Sequence, residues 1–555
     1  MLRMARMNPV ASTLSRHQPA GAGFAEGELT QAHRLGLRPM PRQGYAEALA
    51  DAERRFGADH VLYEFPDEHS QLTVGDLIEL SADFASALRN AGLARGDSLA
   101  VWSPPSPLWP VAMLGAARIG ARICGLNTRL RAGELAQVLG ALQPRLVLAA
   151  TGFFDIDSAG LLREALGPEN AELLVTAPLG TRLGNLTAGE RDLDVPAPHH
   201  DEVSLIQFTS GSTSTPKGVL ITQSGSLAAA HYGAECLGIG PDDRMYSPLP
   251  FFHIGGTIST CLAAITSGCT MVIPRRFDAA AALQEIERGC TAFQGHGALW
   301  RMLLDAYRTA PRPLPSLRRG WASGDHGSLQ EIQDTLGVSE LVNMFGSSEA
   351  GTIACTVRTD PEPVRLGTLG HPTPGTRVRV LDPETDVPVA PGEIGELWLS
   401  GPMVMRGYLG SPPLGPEGLR TGDLVRFDGD VLRYAGRIDD RLKPGGENVS
   451  VAEVESFLRD DPLIEEAIVV GIPDRRLGEI PAAVVQLTRE GADDQRAAIT
   501  RIATRCRREL AGFKAPRTVQ AVDTIPMLDS GKVDRRRVRQ ELIDRLDRSA
   551  TETPG

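Results

Sequence analysis

The sequence predicts an α/β fold, with a large N-terminal domain of α/β subdomains plus a small β subdomain, followed by a small α+β C-terminal domain. Three observations carry this prediction. Helical and strand patterns alternate through the first part of the chain, short strands with Gly/Pro turns cover residues 366–436, and a charged segment follows. The length of 555 residues exceeds that of a usual single domain, so we expect more than one domain.

The first part of the chain has the rhythm of βαβ units around a mainly parallel sheet. The predicted elements are a helix over 74–91, a strand over 98–102, a helix over 110–120, and strands over 146–150 and 203–208. A polar Pro/Gly-rich interval, 178–200, precedes the last of these strands, and a second α/β run covers about 219–350. After residue 436 the predicted elements are a helix over 451–458, strands over 466–470 and 482–487, and a basic helix over 497–510.

The composition is that of an ordinary globular protein, with 42% hydrophobic and 23% charged residues. A formal net charge of −12 provides no basic field that would attract nucleic acid or an anionic membrane. The seven cysteines are scattered and form no CxxC pair, which is typical of a reducing compartment. We therefore expect a cytoplasmic protein with no nucleic-acid partner and no membrane span.

The sharpest local feature is a run of small hydroxyl and glycine residues that follows a predicted strand and ends in Pro216-Lys217-Gly218. Small residues allow consecutive backbone N–H groups to turn toward one anion, and Lys217 supplies a point charge for phosphate. It is not a Walker A loop, because residues 219–222 predict a strand rather than a helix. A flexible Ser/Thr linker is the weaker interpretation, since a linker needs no Pro-Lys-Gly and would not adjoin a buried strand.

This loop resembles the phosphate loop of the adenylate-forming superfamily, which includes acyl-CoA synthetases, aryl-acid ligases, luciferases and the adenylation domains of peptide synthetases. Further matching motifs follow in the family's order along almost the whole chain. They are Pro248-Leu-Pro-Phe-Phe-His253, Asn343-Met-Phe-Gly-Ser-Ser-Glu349, Thr421-Gly-Asp423, Gly436-Arg-Ile-Asp-Asp440, Gly445-Gly-Glu-Asn-Val449 and Pro526-x-x-x-Ser-Gly-Lys532. One such motif would be weak, but this series in this order is very specific.

The resemblance implies an ATP-dependent, AMP-forming carboxylic acid–CoA ligase. Such an enzyme forms an acyl-adenylate with release of pyrophosphate and then a thioester, using ATP, Mg²⁺ and coenzyme A. It further implies an N-terminal adenylation domain over 1–436 with the ATP and acid sites, a hinge over 437–439, and a mobile C-terminal cap domain over 440–555. A small carboxylic acid would be the substrate, and the protein would be a monomer or homodimer.

The resemblance also assigns roles to residues. The implied catalytic residues are Lys532, Glu349 and His253, and the implied metal ligands are Glu349 and Thr209. The implied ATP- and AMP-binding residues are Thr209, Ser210, Gly211, Ser212, Thr213, Lys217, Phe345, Gly346, Ser348, Asp423 and Arg437. Asp439 matches the hinge, and Gly445, Gly446 and Glu447 match the thioester step. The implied acid pocket contains His253, Gly255, His296, Gly324, Asp325 and His326.

These residue types suit adenylation. A carboxylate that attacks the α-phosphate of ATP is an anion meeting an anion, so catalysis must consist mainly of positioning and charge neutralisation. Glu349 would hold Mg²⁺, Phe345 would offer a flat face to adenine, and Asp423 would accept hydrogen bonds from both ribose hydroxyls. Lys532 would bridge the attacking carboxylate and the α-phosphate.

The sequence departs from the family in the phosphate loop and around the acid. Ser214 stands where the family has glycine, and a serine with positive φ there would cost about 1–2 kcal/mol. His296, Asp325 and His326 fall in segments that are usually apolar or small. A long aliphatic chain would displace water from these polar groups without forming hydrogen bonds to them, which is unfavourable. We therefore expect a small polar or aromatic acid.

Two alternatives remain at this stage. The enzyme could pass its activated acid, or another activated oxyanion, to a non-CoA acceptor such as an amine or a carrier protein. The chain could also be a catalytically silent homologue that only binds nucleotide. The presence of Glu349, Asp423 and Lys532 argues against the silent homologue.

Overall fold

The computed structural model describes residues 27–178, 197–209, 216–438, 441–442, 444, 449–474, 477–510, 512–528 and 533–551. These residues form two large sheets with helices, a small antiparallel sheet, and a C-terminal α+β unit. The predicted fold class is therefore confirmed.

Two helices and a hairpin come first in the described chain. They are α1 (Glu28–Arg34), α2 (Tyr45–Phe56), β1 (Val61–Phe65) and β2 (Ser70–Thr73), with a one-turn helix over Pro66–Glu68.

The first large sheet is built from βαβ units. Its elements are α3 (Val74–Asn90), β3 (Ser98–Trp102), α4 (Leu108–Arg118), β4 (Arg122–Gly125), α5 (Ala132–Leu142), β5 (Leu146–Thr151), α6 (Ser158–Leu166), a short helix over Pro168–Leu173, β6 (Leu174–Pro178), β7 (Val203–Thr209) and β8 (Lys217–Thr222). The strand order is β6-β5-β3-β4-β7-β8, and only β8 is antiparallel to its neighbour.

The second large sheet takes most of its strands from the next part of the chain. The elements are α7 (Gln223–Leu237), β9 (Arg244–Tyr246), α8 (Ile254–Gly256), a π-helical turn over Thr257–Leu262, α9 (Ala263–Ser267), β10 (Thr270–Val272), α10 (Ala279–Glu287), β11 (Ala292–Gln294), α11 (Gly297–Thr309), β12 (Arg319–Ala322), α12 (His326–Leu336), β13 (Glu340–Ser347), β14 (Gly351–Cys355), α13 (Glu362–Gly367) and β15 (His371–Pro372). The order is β15-β14-β13-β12-β11-β9-β10-β1-β2.

The small β subdomain and the C-terminal unit complete the chain. The subdomain is an antiparallel sheet of β16 (Arg377–Leu381), β17 (Gly395–Ser400), β18 (Leu419–Asp428) and β19 (Val431–Arg437). The C-terminal elements are β20 (Arg441–Leu442), β21 (Val449–Ser450), α14 (Val451–Arg459), β22 (Ile464–Asp474), β23 (Gly478–Leu487), α15 (Arg489–Asp493), α16 (Gln495–Glu509), β24 (Thr518–Ala521) and α17 (Arg535–Thr551).

Local sequence signals explain several of these boundaries. Helix α3 begins with a capping box, in which the Thr73 hydroxyl accepts from the Asp76 N–H at 3.1 Å and Asp76 accepts from the Thr73 N–H at 2.8 Å. Strand β3 is buried at every residue because it lies inside a parallel sheet covered on both faces. Helix α4 begins two residues earlier than predicted, because Pro110 is tolerated in the first turn.

Helix α7 lies between the two large sheets, and nearly all of its residues are buried. A helix covered on all sides forms the centre of the main apolar core, which includes residues from both sheets. All seven cysteines are buried and free, and burial raises the pKa of the Cys290 thiol to about 12. Within the described ranges, every helix is too short or too polar to cross a membrane.

Candidate active site

Strands β7 and β8 frame the predicted phosphate loop. Thr209 and Lys217 face each other in the antiparallel register, so both ends of the loop lie at one edge of the first sheet. Thr209 is half-buried and Lys217 is exposed. Strand β8 confirms that no helix follows the lysine. The predicted phosphate ligands Ser210, Gly211, Ser212 and Thr213, and also Ser214, lie outside the described residues.

A segment over 405–409 joins this loop to Glu349. Its backbone pairs with β8 through the Leu220 N–H, which donates to the Gly407 carbonyl at 3.0 Å, and the Leu409 N–H, which donates to the Gly218 carbonyl at 2.7 Å. The Met405 N–H donates to the Glu349 carbonyl at 2.7 Å. The 405–409 segment is therefore hydrogen-bonded both to β8, which begins at Lys217, and to the backbone of Glu349.

Tyr408, in this segment, contacts both charged side chains. Its hydroxyl donates to Glu349 Oε1 at 3.2 Å, and the Lys217 ammonium lies 5.5 Å from the centre of its ring. Burial, together with the Glu349 charge, raises the pKa of Tyr408 to about 12. The sequence analysis missed Tyr408, because the sequence carries no sign of which side chains meet across the two elements.

Phe345, Gly346, Ser348 and Glu349 follow one another at the end of β13 and in the turn to β14. The ring of Phe345 is half-buried and lies 6.2 Å from the ring of Tyr434 on β19. A Cβ at Gly346 would lie 2.3 Å from the Gly351 carbonyl, so the close pairing of β13 and β14 requires glycine. Tyr434 is 47% exposed and was also missed from the sequence.

The two residues expected at the ribose are neighbours on adjacent strands. Asp423 on β18 pairs in register with Arg437 on β19, and their charged groups are 3.6 Å apart. Gly422 has φ of 71°, a left-handed conformation that glycine adopts readily and that turns the chain just before Asp423. The Asp423 N–H donates a hydrogen bond to the Thr421 hydroxyl at 3.0 Å. The structure thus brings Asp423 and Arg437 together.

His253 lies immediately before the helical run that starts at Ile254. Its carbonyl accepts from the Thr257 N–H at 3.1 Å, and its ring lies 4.7 Å from the ring of Phe252. The Phe252 carbonyl in turn accepts a hydrogen bond from Gln207 on β7. Gly255 leaves room for Leu249, whose Cδ1 would be 3.0 Å from an added Cβ. The half-buried His253 is thereby anchored to the strand that leads to the phosphate loop.

Gln294, at the end of β11, connects the three segments predicted to form the acid pocket. It is fully buried, and its amide donates to Ser247 and to Thr260, the latter at 2.9 Å. Its Oε1 accepts from Trp321 Nε1 at 2.7 Å. Ser247 also bonds to Thr260 at 2.6 Å. Thr260 follows His253 on the helical run and Trp321 precedes Gly324, so one amide ties these segments together.

His296, Gly324, Asp325 and His326 are exposed at the ends of α11 and α12. Asp325 caps α12, accepting from the Ser328 N–H at 3.1 Å and from its hydroxyl at 3.0 Å. Burial alone would raise the pKa of Asp325, but the bonds from Ser328 and the charge of Arg459 lower it overall. Asp325 therefore has a structural role that the sequence analysis did not assign to it.

The remaining residues implied by the resemblance match the family's hinge, thioester step and catalytic lysine. Asp439, Gly445, Gly446, Glu447 and Lys532 lie outside the described residues. Arg437 is the last residue of β19 and belongs to the small β sheet.

One ion pair lies close to Lys532 in the sequence. Arg535, three residues after Lys532, donates to both oxygens of the buried Glu455, at 2.6 and 2.9 Å. The start of α17 is thereby fixed to α14.

Comparisons with known proteins identify the family of this chain. The model of the AMP-binding enzyme family matches residues 49–409, and that of the AMP-binding enzyme C-terminal domain matches residues 453–532. The sulfoacetate–CoA ligase of Cupriavidus necator is 33% identical over 485 residues, which cover 85% of this chain and 92% of that protein. The feruloyl-CoA synthase of an Amycolatopsis species is 31% identical over 489 residues, covering 84% of this chain and 94% of that protein.

The fold is also found in solved structures. The ATP-bound crystal structure of MatB from Rhodopseudomonas palustris superposes with a TM-score of 0.80 at 23% identity, covering 90% of this chain and 99% of that one. The sequence relatives support the CoA-ligase interpretation, whereas neither the non-CoA acceptor nor the silent homologue gains support from them. The chain belongs to the AMP-binding enzyme family and is an AMP-forming acid–CoA ligase.

Proposed function

We propose that this CoA ligase activates a compact polar or aromatic carboxylic acid rather than a long-chain fatty acid. The observation that carries the proposal is the hydrogen-bonded group around Gln294. Its amide binds Trp321 and Thr260, so a pocket between the predicted segments would have polar groups and a fixed indole behind it. A long alkyl chain would need an apolar tunnel, and extending one through this wall would leave buried polar groups without partners.

The two relatives compared above support the same class of acid. One is named for sulfoacetate, a small polar acid, and the other for the feruloyl group, which is aromatic. His253 and His296 add titratable groups at the edge of the pocket segments. The acid would be held with its carboxylate toward the phosphate loop and its body toward Trp321.

In the proposed reaction, the substrate carboxylate attacks the α-phosphorus of ATP and pyrophosphate leaves. Lys217 and the loop that starts at Thr209 would neutralise the phosphates, and Phe345 would stack on adenine. Asp423 would accept hydrogen bonds from the ribose hydroxyls and Lys532 would hold the two reacting anions together. The CoA thiol would then attack the acyl carbonyl and AMP would leave, with Gly446 beside the thiol and Asp439 in the hinge.

The residues at the phosphate edge fit a magnesium ion. Glu349 uses only Oε1 for Tyr408, and no described residue donates a hydrogen bond to its second oxygen. A free carboxylate oxygen and the Thr209 hydroxyl are hard ligands of the kind that Mg²⁺ prefers. When bound, the ion would screen the charge of the phosphates, and Glu349 and Thr209 would hold it there.

The test is a screen of carboxylic acids by pyrophosphate release, followed by mass spectrometry of acyl-AMP and acyl-CoA. We expect saturable, CoA-dependent turnover to be best with acids of about one aromatic ring or smaller, since the pocket wall is fixed. Turnover that is best with C12–C18 fatty acids would show the proposal to be wrong.

A further inference from the structure

Tyr408 contacts two side chains of opposite charge. Its hydroxyl bonds to Glu349 Oε1, and its ring lies under the Lys217 ammonium. Among the described residues, no carboxylate lies within 4 Å of that ammonium, and no cation lies that close to Glu349. The two charges therefore do not neutralise each other, although one backbone segment holds them both.

We propose that Tyr408 is a positioning residue, which orients the Glu349 carboxylate for Mg·ATP and keeps Lys217 apart from it. This inference rests on the proposed role of Glu349. The hydroxyl donates to Oε1, which restricts rotation of the carboxylate and leaves Oε2 without a hydrogen bond from any described residue. The ring offers Lys217 a neutral face, which leaves its charge available for phosphate.

The backbone around Tyr408 makes this geometry rigid. The Arg406 N–H donates to the Leu220 carbonyl at 2.9 Å, and Val219 forms a β-bridge with Tyr408 itself. The 405–409 segment thus pairs with the edge of strand β8. Because the backbone on both sides of Tyr408 is hydrogen-bonded to β8, its side chain can hold Glu349 in a fixed position.

The test compares Tyr408→Phe with Glu349→Gln and with Tyr307→Phe, a control tyrosine that is partly buried on α11. Binding of Mn²⁺, a paramagnetic substitute for Mg²⁺, is measured by electron paramagnetic resonance with a non-hydrolysable ATP analogue. We expect Tyr408→Phe to weaken Mn²⁺ binding about three- to tenfold, as fits the loss of one long hydrogen bond of ordinary net strength. Thioester formation from supplied acyl-AMP should stay at the wild-type rate.

The outcomes separate the two levels of the argument. If Glu349→Gln weakens Mn²⁺ binding but Tyr408→Phe does not, the role of Tyr408 is refuted and the role of Glu349 stands. If neither variant changes Mn²⁺ binding, the proposed role of Glu349 fails as well. A loss in Tyr408→Phe that extends equally to the thioester half-reaction would indicate general damage and would also overturn the proposal.

Discussion

Replacing Gln294 by methionine should loosen the wall of the acid pocket. Methionine has nearly the same length and shape as glutamine, so the substitution leaves little cavity and removes only the polar contacts. Trp321 Nε1 then loses the acceptor that it now has at 2.7 Å. Ser247 and Thr260 keep their mutual bond of 2.6 Å and lose less.

The magnitude follows from these contacts. A buried N–H without an acceptor costs about 1–3 kcal/mol, so Gln294→Met should lower the apparent free energy of unfolding by that amount. Trp321→Phe removes the N–H and leaves the Gln294 Oε1 without its donor, at a similar cost. In the double variant neither the indole N–H nor the amide oxygen remains as an unpaired buried group. Its loss of unfolding free energy should therefore be smaller than the sum of the two single losses by about 1 kcal/mol.

The assay is urea unfolding of all four proteins, followed by far-ultraviolet circular dichroism, which does not depend on the fluorescence of Trp321. The same proteins are then tested with a compact acid and a longer homologue. We expect Gln294→Met to raise kcat/KM for the longer acid relative to the compact one, because the indole is free to move. Additive unfolding losses together with an unchanged acid preference would refute the argument that Gln294 holds the wall.

Three further substitutions give independent tests. Ser214→Gly should speed ATP–pyrophosphate exchange, since the family has glycine at this position of the phosphate loop and serine would cost about 1–2 kcal/mol there if φ is positive; an unchanged exchange rate would contradict this. Glu455→Gln should destabilise the C-terminal unit by about 2–3 kcal/mol, because Arg535 loses a buried partner while staying one-third exposed, and hydrogen exchange of α14 and α17 measures it. His371 has a raised pKa because it bonds to Asp360, so its stabilising charge is present below its unfolded pKa and is lost as pH rises through the folded pKa. Asp360→Asn should therefore flatten the fall in unfolding temperature between about pH 6 and pH 8, and a calorimetric scan that keeps the wild-type slope would contradict this.

Much of the architecture follows from local patterns. Strand β3 matches its predicted bounds because a central strand of a parallel sheet is a continuous apolar run. The predicted start of α3 at residue 74 is also correct, and the structure shows a capping box there. Helix α4 begins two residues before its predicted start at Pro110, because the first turn of a helix accepts proline.

The residues of the candidate site also differ in how far the sequence predicts them. Residues within contiguous motifs, such as Glu349 and Asp423, could be proposed from the sequence. Tyr408, Tyr434 and the partners of Gln294 could not, because their contacts arise between elements far apart in the chain. Asp325 is the instructive case: aspartate is a preferred N-cap residue, and the hydrogen bond from the Ser328 N–H accounts for this carboxylate without a substrate.

The burial of every cysteine makes this enzyme convenient for spectroscopy. Thiols that are shielded from water and raised in pKa, such as Cys290, react slowly with maleimides. One new cysteine on the exposed face of α16 and one on α11 can therefore carry a pair of fluorophores without removal of any native thiol. Distance changes between them during turnover would report directly on whether the C-terminal unit rotates.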